Sequence, residues 1–177
     1  MSKQVEQAVL AGGCFWCLEA VYERIPGVLS VVSGYTGGSV AHPTYEQVCT
    51  GTTGHAEAVR IEYDAEKVSY EEILRYFFKY HDPTTLNRQG ADVGTQYRSA
   101  IFCENDAQES AARAAIVALE HSGAFKRKIV TEVRRLDTFY PAEEYHQRYF
   151  ARNPHAGYCR IVIRPKVEKV VTELGGQ

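Results

Sequence analysis

The chain has 177 residues, of which 45% are hydrophobic and 24% are charged, and its formal net charge is −2. This size and composition predict one domain over 1–177, with a core over about 8–166 and a mobile tail over 167–177. The near-neutral charge gives no electrostatic argument for binding to nucleic acids or anionic membranes. No apolar run approaches the ~18 residues that cross a bilayer, and the N-terminus lacks the features of a signal peptide, so we expect a cytoplasmic protein.

The five cysteines are an odd number, which argues against a fully paired secreted framework and favours free thiols in a reducing compartment. Cys49 and Cys103 lie among apolar neighbours, and we expect both to be small, buried hydrophobic side chains. The other three cysteines, Cys14, Cys17 and Cys159, are candidates for chemistry.

The first part of the chain predicts a strand, a helix and two further strands. A strand over about 7–11 is followed by a helix over about 14–25, which ends at Pro26-Gly27. The run 28–35 is rich in β-branched residues and predicts a strand, while 57–63 alternates polar and apolar residues as a half-buried strand does.

A capping box predicts the start of the next helix. Ser69 is the expected N-cap and Glu72 the reciprocal partner, and the helix stops at 81–83. A strand is predicted over 97–103.

A second capping box, Asp106 to Glu109, is predicted to begin a helix that runs towards Gly123. Pro141 is then predicted at the first position of a helix in a C-terminal extension. The order of elements predicts an α+β, two-layer sandwich with a ferredoxin-like β-α-β-β-α-β core.

Two long loops, at about 36–54 and 82–96, interrupt this pattern. Loops of this length in a compact domain are usually functional or disordered, and these two lack the composition of disordered segments. They contain Tyr45 and Asp92, with His55 directly after the first loop. We therefore interpret them as the walls of a site.

The most informative segment is 12–17, GGCFWC, because it places a thiol between a strand and a helix. The two glycines permit a sharp turn, so that Cys14 lies at or near a helix N-terminus. Free N–H groups and the helix dipole stabilise an anion there and predict a lowered pKa for the Cys14 thiol. Since Phe15 and Trp16 follow, we predict a reactive cysteine beside an aromatic surface.

The Cys14-x-x-Cys17 spacing alone permits three kinds of site. A structural zinc site needs a second ligand pair at close spacing, and only His155 and Cys159 offer a weak approximation. A thioredoxin-type dithiol needs a strand, a turn and a helix that begins at the first cysteine, and this context is present. A catalytic nucleophile needs an acid or a base from elsewhere in the chain.

Glu57 is the candidate acid because it begins a strand directly after a glycine-rich loop. Burial there would raise the pKa of the carboxyl and keep it protonated near neutral pH, which suits a poor oxygen leaving group. A solvated carboxylate is the alternative. His55 is either a base or a loop histidine bonded to the backbone. Tyr45 and Tyr97 either donate hydrogen bonds to a substrate oxygen or serve in packing.

An ordered series of motifs runs along the chain from about residue 9 to residue 166: GCFW at 13–16, GYTGG at 34–38, PTY at 43–45, GHAE at 54–57, HDPT at 81–84, GTQYRS at 94–99, FYPAE at 139–143 and YHQ at 145–147. This series resembles the A-type peptide methionine sulfoxide reductases. The family fold is a two-layer α/β sandwich with a ferredoxin-like core.

The resemblance implies a reaction for Cys14 and Glu57. Cys14 attacks the sulfur of methionine S-sulfoxide, in proteins, in peptides or free, and Glu57 supplies the proton with which the sulfoxide oxygen leaves. Cys14 is left as a sulfenic acid, which a second thiol converts to a disulfide, and thioredoxin or dithiothreitol reduces that disulfide. No metal or organic cofactor is implied.

The resemblance also implies roles for five further residues. Tyr45 and Tyr97 hydrogen-bond the sulfoxide oxygen, and Phe15 and Trp16 form an apolar pocket for the methyl group of the substrate. Asp92 helps to order the site.

The identity of the resolving cysteine departs from the family pattern. Many members carry glycine at the position of Cys17 and resolve through cysteines in a glycine-rich C-terminal tail, whereas this chain has only Cys159 there. We prefer Cys17, which lies one helical turn from Cys14, and retain Cys159 as the alternative. Two other functions stay open, a thiol–disulfide exchange protein and a ferredoxin-like module that binds RNA.

Overall fold

A six-stranded sheet is the centre of the fold. The computed structural model describes residues 4–175, in which eight strands occur: β1 (Val5–Ala11), β2 (Val28–Thr36), β3 (Ala56–Asp64), β4 (Arg88–Gln89), β5 (Asp92–Val93), β6 (Ala100–Cys103), β7 (Glu132–Arg135) and β8 (Phe139–Pro141). The sheet has the order β7-β6-β1-β3-β2-β8, and β4 and β5 form a separate hairpin. All paired strands are antiparallel except β6 and β7, which are parallel.

The described helices are α1 (Phe15–Tyr22), α2 (Tyr45–Cys49), α3 (Tyr70–Tyr80), α4 (Asp106–Ser122), α5 (Tyr149–Arg152) and α6 (Arg164–Gly175). Two short 3₁₀ turns lie at Thr95–Tyr97 and Glu144–His146, and a π-helical turn at Cys159–Ile163 leads into α6. The protein is thus a mixed α/β structure. None of the helices within residues 4–175 combines the length and apolar character that a membrane crossing requires.

Strand β3 determines which side chains enter the core. Because side chains alternate along a strand, Glu57 shares a face with Val59 and Ile61, which belong to the main hydrophobic cluster under the helices. Ala56 and Ala58 point to the opposite face, where they join a smaller cluster. The central position of β3 therefore buries the carboxyl of Glu57 instead of leaving it at a solvated strand end.

The predicted N-cap of α3 is observed, while that of α4 is displaced by one residue. The Ser69 side chain accepts the Glu72 backbone N–H, and the helix ends before His81 as expected. The reciprocal half of the predicted capping box differs, because the Glu72 carboxyl accepts the Ser69 hydroxyl at 3.4 Å instead of the Ser69 backbone N–H. In α4 the N-cap is Asn105, not Asp106, because its side chain accepts the Gln108 backbone N–H.

The predicted strand over 97–103 is too long. Tyr97 ends a 3₁₀ turn, and only Ala100–Cys103 pair in the sheet, because the Thr95 carbonyl accepts the backbone N–H of Arg98. The predicted helix at Pro141 is also wrong. Pro141 ends β8, an edge strand opposite Gly34, where a residue without an N–H is tolerated.

The expected mobile tail, 167–177, differs from what is observed in its described part. Residues 167–175 belong to α6, and Val170 is fully buried in the main cluster with Val167 beside it. These apolar side chains fix the helix to the core because they would otherwise lie in water.

Candidate active site

The turn between β1 and α1 places Cys14 at the start of a helix. Gly13 has a φ of 93°, and a side chain there would lie 2.6 Å from the Cγ atom of Gln89. Glycine is therefore the residue that this turn requires. Cys14 follows as the N-cap of α1, in extended conformation, and only 7% of its surface is exposed.

The carboxyl of Glu57 lies under the first turn of α1. Its Oε1 atom accepts the Phe15 backbone N–H at 3.1 Å, one of the donors that a helix N-terminus leaves free. Burial, with a smaller contribution from the charge of Asp92, raises the pKa of Glu57 to about 8. Glu57 is therefore protonated at neutral pH and can act as a proton donor.

The expected low pKa of Cys14 is wrong for the substrate-free site. Burial, followed by the nearby Glu57 and Cys17, raises the pKa of Cys14 well above its usual value. The Trp16 backbone N–H acts in the opposite direction with less effect. The helix N-terminus fails to dominate because the thiol is desolvated and the Phe15 N–H is already bonded to Glu57.

A short chain of polar contacts joins Cys17 to Asp92. The Sγ atom of Cys17 lies 3.6 Å from the Tyr158 hydroxyl, and that hydroxyl donates to Oδ2 of Asp92 at 2.7 Å. Burial raises the pKa of Cys17. Tyr158, a residue from the C-terminal part of the chain, thus links Asp92 to Cys17.

Tyr45 and Tyr97 reach the same place from the two long loops. Tyr45 is the first residue of α2, and Tyr97 ends the 3₁₀ turn before β6. Burial, and after it the Glu57 carboxyl, raises the pKa of both phenols, so each remains a hydrogen-bond donor at neutral pH. The structure therefore brings both hydroxyl groups into the electrostatic environment of Glu57.

Phe15 and Trp16 belong to an aromatic cluster. The Phe15 ring lies 5.1 Å from the ring of His146, measured between centroids. The Trp16 indole stacks on Tyr149 at 3.8 Å and meets Tyr158 edge-on at 5.9 Å. These contacts form an apolar surface beside Cys14.

The structure also decides the predictions made for His55, Cys103 and Cys49. His55 has the loop role, because its Nδ1 accepts the Gly38 N–H at 3.0 Å and its Nε2 lies 2.7 Å from the Val40 carbonyl oxygen. Cys103 is buried as expected, whereas Cys49 is exposed, because it lies at the end of the surface helix α2.

Cys159 is fully buried at the start of the π-helical turn. It lies next in the chain to Tyr158, the residue that contacts Cys17, while its own side chain packs into the main hydrophobic cluster. All five cysteines are free. Within residues 4–175, the His, Cys, Asp and Glu side chains form no group of three or more able to hold a metal ion.

Sequence reasoning assigned no role to four side chains that organise the site: Glu143, His146, Tyr149 and Tyr158. Glu143 accepts both the Tyr35 hydroxyl, at 2.8 Å, and the backbone N–H of Tyr45, at 2.9 Å. The hydrogen bonds of these four residues to other parts of the site span between 66 and 141 positions, so the spacing of residues along the chain gives no indication of them. Only Glu143 and His146 belong to the motifs of the sequence analysis, FYPAE at 139–143 and YHQ at 145–147.

A wide groove on the surface lies away from these residues. It has a volume of about 1270 Å³, runs between α3 and α6, and is lined by several basic side chains, including Lys79, Lys126 and Lys166. None of the predicted site residues lines it. We place the site at Cys14 because the thiols, the buried acid and the phenols meet there.

Comparison with known proteins gives a consistent result. The family described as "Peptide methionine sulfoxide reductase" matches residues 6–176. The "Peptide methionine sulfoxide reductase MsrA" of Nautilia profundicola is 58% identical over 163 residues, which cover 92% of each chain. The reduced form of Mxr1 from Saccharomyces cerevisiae has a TM-score of 0.80 and 35% identity, covering 88% of this chain and 89% of that one. A structure of Mxr1 in complex with Trx2 shares the fold, with a TM-score of 0.57 and 24% identity over 84% of this chain and 89% of that one.

Proposed function

The chain belongs to the peptide methionine sulfoxide reductase family, and on this basis we propose that Cys14 is the nucleophile of its reaction. The protein catalyses the thiol-dependent reduction of the S epimer of methionine sulfoxide to methionine. The main support for assigning the reaction to Cys14 and Glu57 is the buried carboxyl of Glu57. It accepts a hydrogen bond from the first turn of the helix that follows Cys14, and its pKa is about 8.

In the first step the sulfur of Cys14 attacks the sulfur of the sulfoxide. Glu57 gives its proton to the sulfoxide oxygen, and the thiol proton of Cys14 returns to Glu57. The attack forms a bond between the two sulfur atoms, and the S–O bond of this adduct breaks as Glu57 protonates the departing oxygen to water. Water then attacks the Cys14 sulfur, the sulfur–sulfur bond breaks, methionine is released and the proton that the water loses returns to Glu57. The substrate sulfur is thereby reduced by two electrons, and Cys14 is oxidised by two electrons to a sulfenic acid.

The raised pKa of Cys14 is compatible with this step because the thiol and the acid share one buried site. Before the reaction, Cys14 and Glu57 each carry a proton. The Glu57 proton goes to the sulfoxide oxygen, and the Glu57 carboxylate that this leaves can accept the thiol proton, so Cys14 becomes a thiolate as it attacks. The hydroxyls of Tyr45 and Tyr97 hold the oxygen in this proposal. Phe15 and Trp16 contact the methyl group.

We propose Cys17 as the resolving residue. Its backbone N–H bonds the Cys14 carbonyl at 3.1 Å, so both cysteines occupy the first turn of α1. Attack by Cys17 on the sulfenic sulfur forms the disulfide and releases water. The alternative, Cys159, is buried in the core and would have to leave the π-helical turn. Asp92 orders this part of the site by accepting the hydroxyl of Tyr158.

Thioredoxin is the proposed physiological reductant, with dithiothreitol as its laboratory substitute. The proposal draws on the yeast relative that has been solved with Trx2. Oxidised methionine in proteins or peptides is the proposed substrate class, and no prosthetic group takes part. The five free thiols support a reducing location such as the cytoplasm.

We also propose that the domain, a single catalytic unit, has a ferredoxin-like core formed by β1, α1, β2, β3, α3 and β6. The antiparallel order β6-β1-β3-β2 supports this description.

Reduction of the separate S and R epimers of a blocked methionine sulfoxide, with the thioredoxin system, tests the assignment. We expect turnover of the S epimer only, and its loss in Cys14→Ser, while Cys49→Ser retains activity as the matched thiol control. Undiminished turnover in Cys14→Ser would refute the nucleophile. Reduction of protein disulfides without sulfoxide turnover would indicate thiol–disulfide exchange instead.

A further inference from the structure

The indole of Trp16 is hydrogen-bonded to a histidine from a distant part of the chain. Its Nε1–H donates to Nδ1 of His146 at 3.1 Å, across 130 positions of sequence. Tyr149 stacks on one face of the indole, and His146 is almost fully buried, with 1% of its surface exposed. The histidine therefore fixes the rotation of the indole in its own plane, which stacking alone leaves free.

This hydrogen bond determines the protonation of the imidazole. Nδ1 accepts the indole N–H only if it carries a lone pair, so the single proton of neutral His146 lies on Nε2. The Nε2 atom is buried and has no partner among residues 4–175. A phenylalanine would fill the same space without burying an unpaired donor. Histidine at this position is explained by its Nδ1 atom, which accepts the hydrogen bond of the buried indole N–H.

The surroundings of the ring oppose its charged form. The ring is enclosed by two residues of α1, two of α2 and two of its own segment: Phe15, Trp16, Tyr45, Glu46, Glu143 and Tyr145. Burial lowers the pKa of His146, and the carboxylates of Glu143 and Glu46 oppose this with less effect. Neutral imidazole is therefore the form present at pH 7.

We propose that His146 is a positioning residue of the methyl pocket, which holds Trp16 as a neutral imidazole and releases the indole when Nδ1 is protonated. The inference rests on the proposed role of Trp16 in binding the substrate. It predicts that acid weakens substrate binding through the pocket without altering the nucleophile. His146 touches no reacting atom, and it acts only through the orientation of Trp16.

Two variants separate the acceptor from the space that the ring fills. His146→Asn keeps an oxygen acceptor near the position of Nδ1 but cannot be protonated, whereas His146→Phe keeps an aromatic ring and loses the acceptor. Trp16 is the only tryptophan of the chain, so intrinsic fluorescence reports this one indole without labelling. Substrate binding is measured in single turnovers of the reduced protein, without reductant, so that recycling does not contribute.

We expect His146→Phe to raise the substrate concentration for half-maximal rate by about tenfold, with a much smaller change in the maximal rate. We expect His146→Asn to restore most of the affinity at pH 7. The Trp16 emission of the wild type should change with a midpoint below 6.5, the ordinary histidine value, and this change should disappear in His146→Asn.

Glu19 supplies the control for the titration. Its buried carboxyl accepts the Tyr149 N–H at 3.1 Å, and burial raises its pKa to about 7, so it also affects the indole through Tyr149. Glu19→Gln should retain the acid transition of Trp16.

A transition that persists in His146→Asn, or wild-type affinity in His146→Phe, would overturn the inference. Loss of the transition in Glu19→Gln would also overturn it, by assigning the titration to Glu19. Absence of sulfoxide turnover in the wild type would refute the proposed function and leave the fluorescence test of the hydrogen bond intact. If His146→Phe does not fold, the titrations of the wild type and of His146→Asn still decide.

Discussion

Replacing Glu57 by glutamine should make the protein more stable at neutral and alkaline pH while it removes activity. Glutamine keeps an oxygen that accepts the Phe15 N–H, now 3.1 Å from the carboxyl, and it cannot ionise. The carboxyl of the wild type has 1% of its surface exposed, so its charged form is poorly solvated. The substitution therefore isolates the cost of burying this one ionisable group.

The magnitude follows from the two pKa values. A rise in pKa from 4.5 to about 8 corresponds to about 5 kcal/mol, at about 1.4 kcal/mol for each tenfold change in proton affinity. Because the folded state binds the proton more tightly, this stabilisation is complete below pH 4.5 and is lost as the pH rises to about 8. About 3 kcal/mol of the loss should fall between about pH 5 and about pH 8.

Equilibrium unfolding in urea at several pH values measures this effect. The free energy of unfolding of Glu57→Gln, minus that of the wild type, should grow by about 3 kcal/mol from about pH 5 to about pH 8. Glu19 contributes a pH dependence of the same sign to both proteins, and it cancels in the difference. Glu62→Gln, at a partly exposed position on the opposite face of the same strand, is the matched control for replacing one glutamate of β3 by glutamine.

Activity should change in the opposite direction. Loss of a general acid typically lowers the rate by about 10² or more, so single-turnover reduction should slow by at least that factor in Glu57→Gln. The rate of the wild type should also fall as the pH rises through about 8, where Glu57 loses its proton. A stability difference that stays constant with pH would refute the buried, protonated acid.

Two further predictions concern the hydroxyls proposed to bind the oxygen and the packing of the sheet. Tyr45→Phe and Tyr97→Phe should each lower the second-order rate constant of the single-turnover reaction by about tenfold. Tyr140→Phe is the control and should leave this rate constant unchanged, since the Tyr140 ring lies outside the site. Equal rates in all three would contradict the hydroxyl roles. Gly34→Ala places a methyl group 2.4 Å from the Phe139 ring and 2.5 Å from the Tyr140 carbonyl oxygen, so urea unfolding should show a loss of about 1–3 kcal/mol. A loss below about 0.5 kcal/mol would show that β8 moves freely.

The local order of the chain was predictable where short-range rules decide it. The alternation in 57–63 predicted a strand, and Ser69 and Gly123 marked the ends of helices correctly. The errors arise where several local partners compete. Asn105 and Asp106 are both good caps, and only the folded geometry shows that Asn105 accepts the Gln108 N–H.

The two cysteines, the carboxyls and the phenols that meet at the candidate site could be named from the sequence, whereas the four side chains that hold them in place and the pKa values of the site could not. The helix N-terminus is visible in the sequence and predicts a low pKa for Cys14, whereas desolvation depends on what packs over the thiol. The contacts of Trp16 with His146 and of Cys17 with Tyr158 join positions 130 and 141 apart. Such pairs result from the tertiary fold, and no spacing rule indicates them.

The most direct test of the thiol chemistry at Cys14 is to react the reduced protein with one equivalent of methionine S-sulfoxide in the absence of reductant. Mass spectrometry then identifies which cysteines are oxidised and which are paired. We expect one methionine per protein and a Cys14–Cys17 disulfide, and in Cys17→Ser a sulfenic acid that persists on Cys14 or slowly forms a bond to Cys159. Formation of methionine with Cys14 unmodified would contradict the proposed nucleophile. An exclusive Cys14–Cys159 disulfide in the wild type would contradict the role of Cys17.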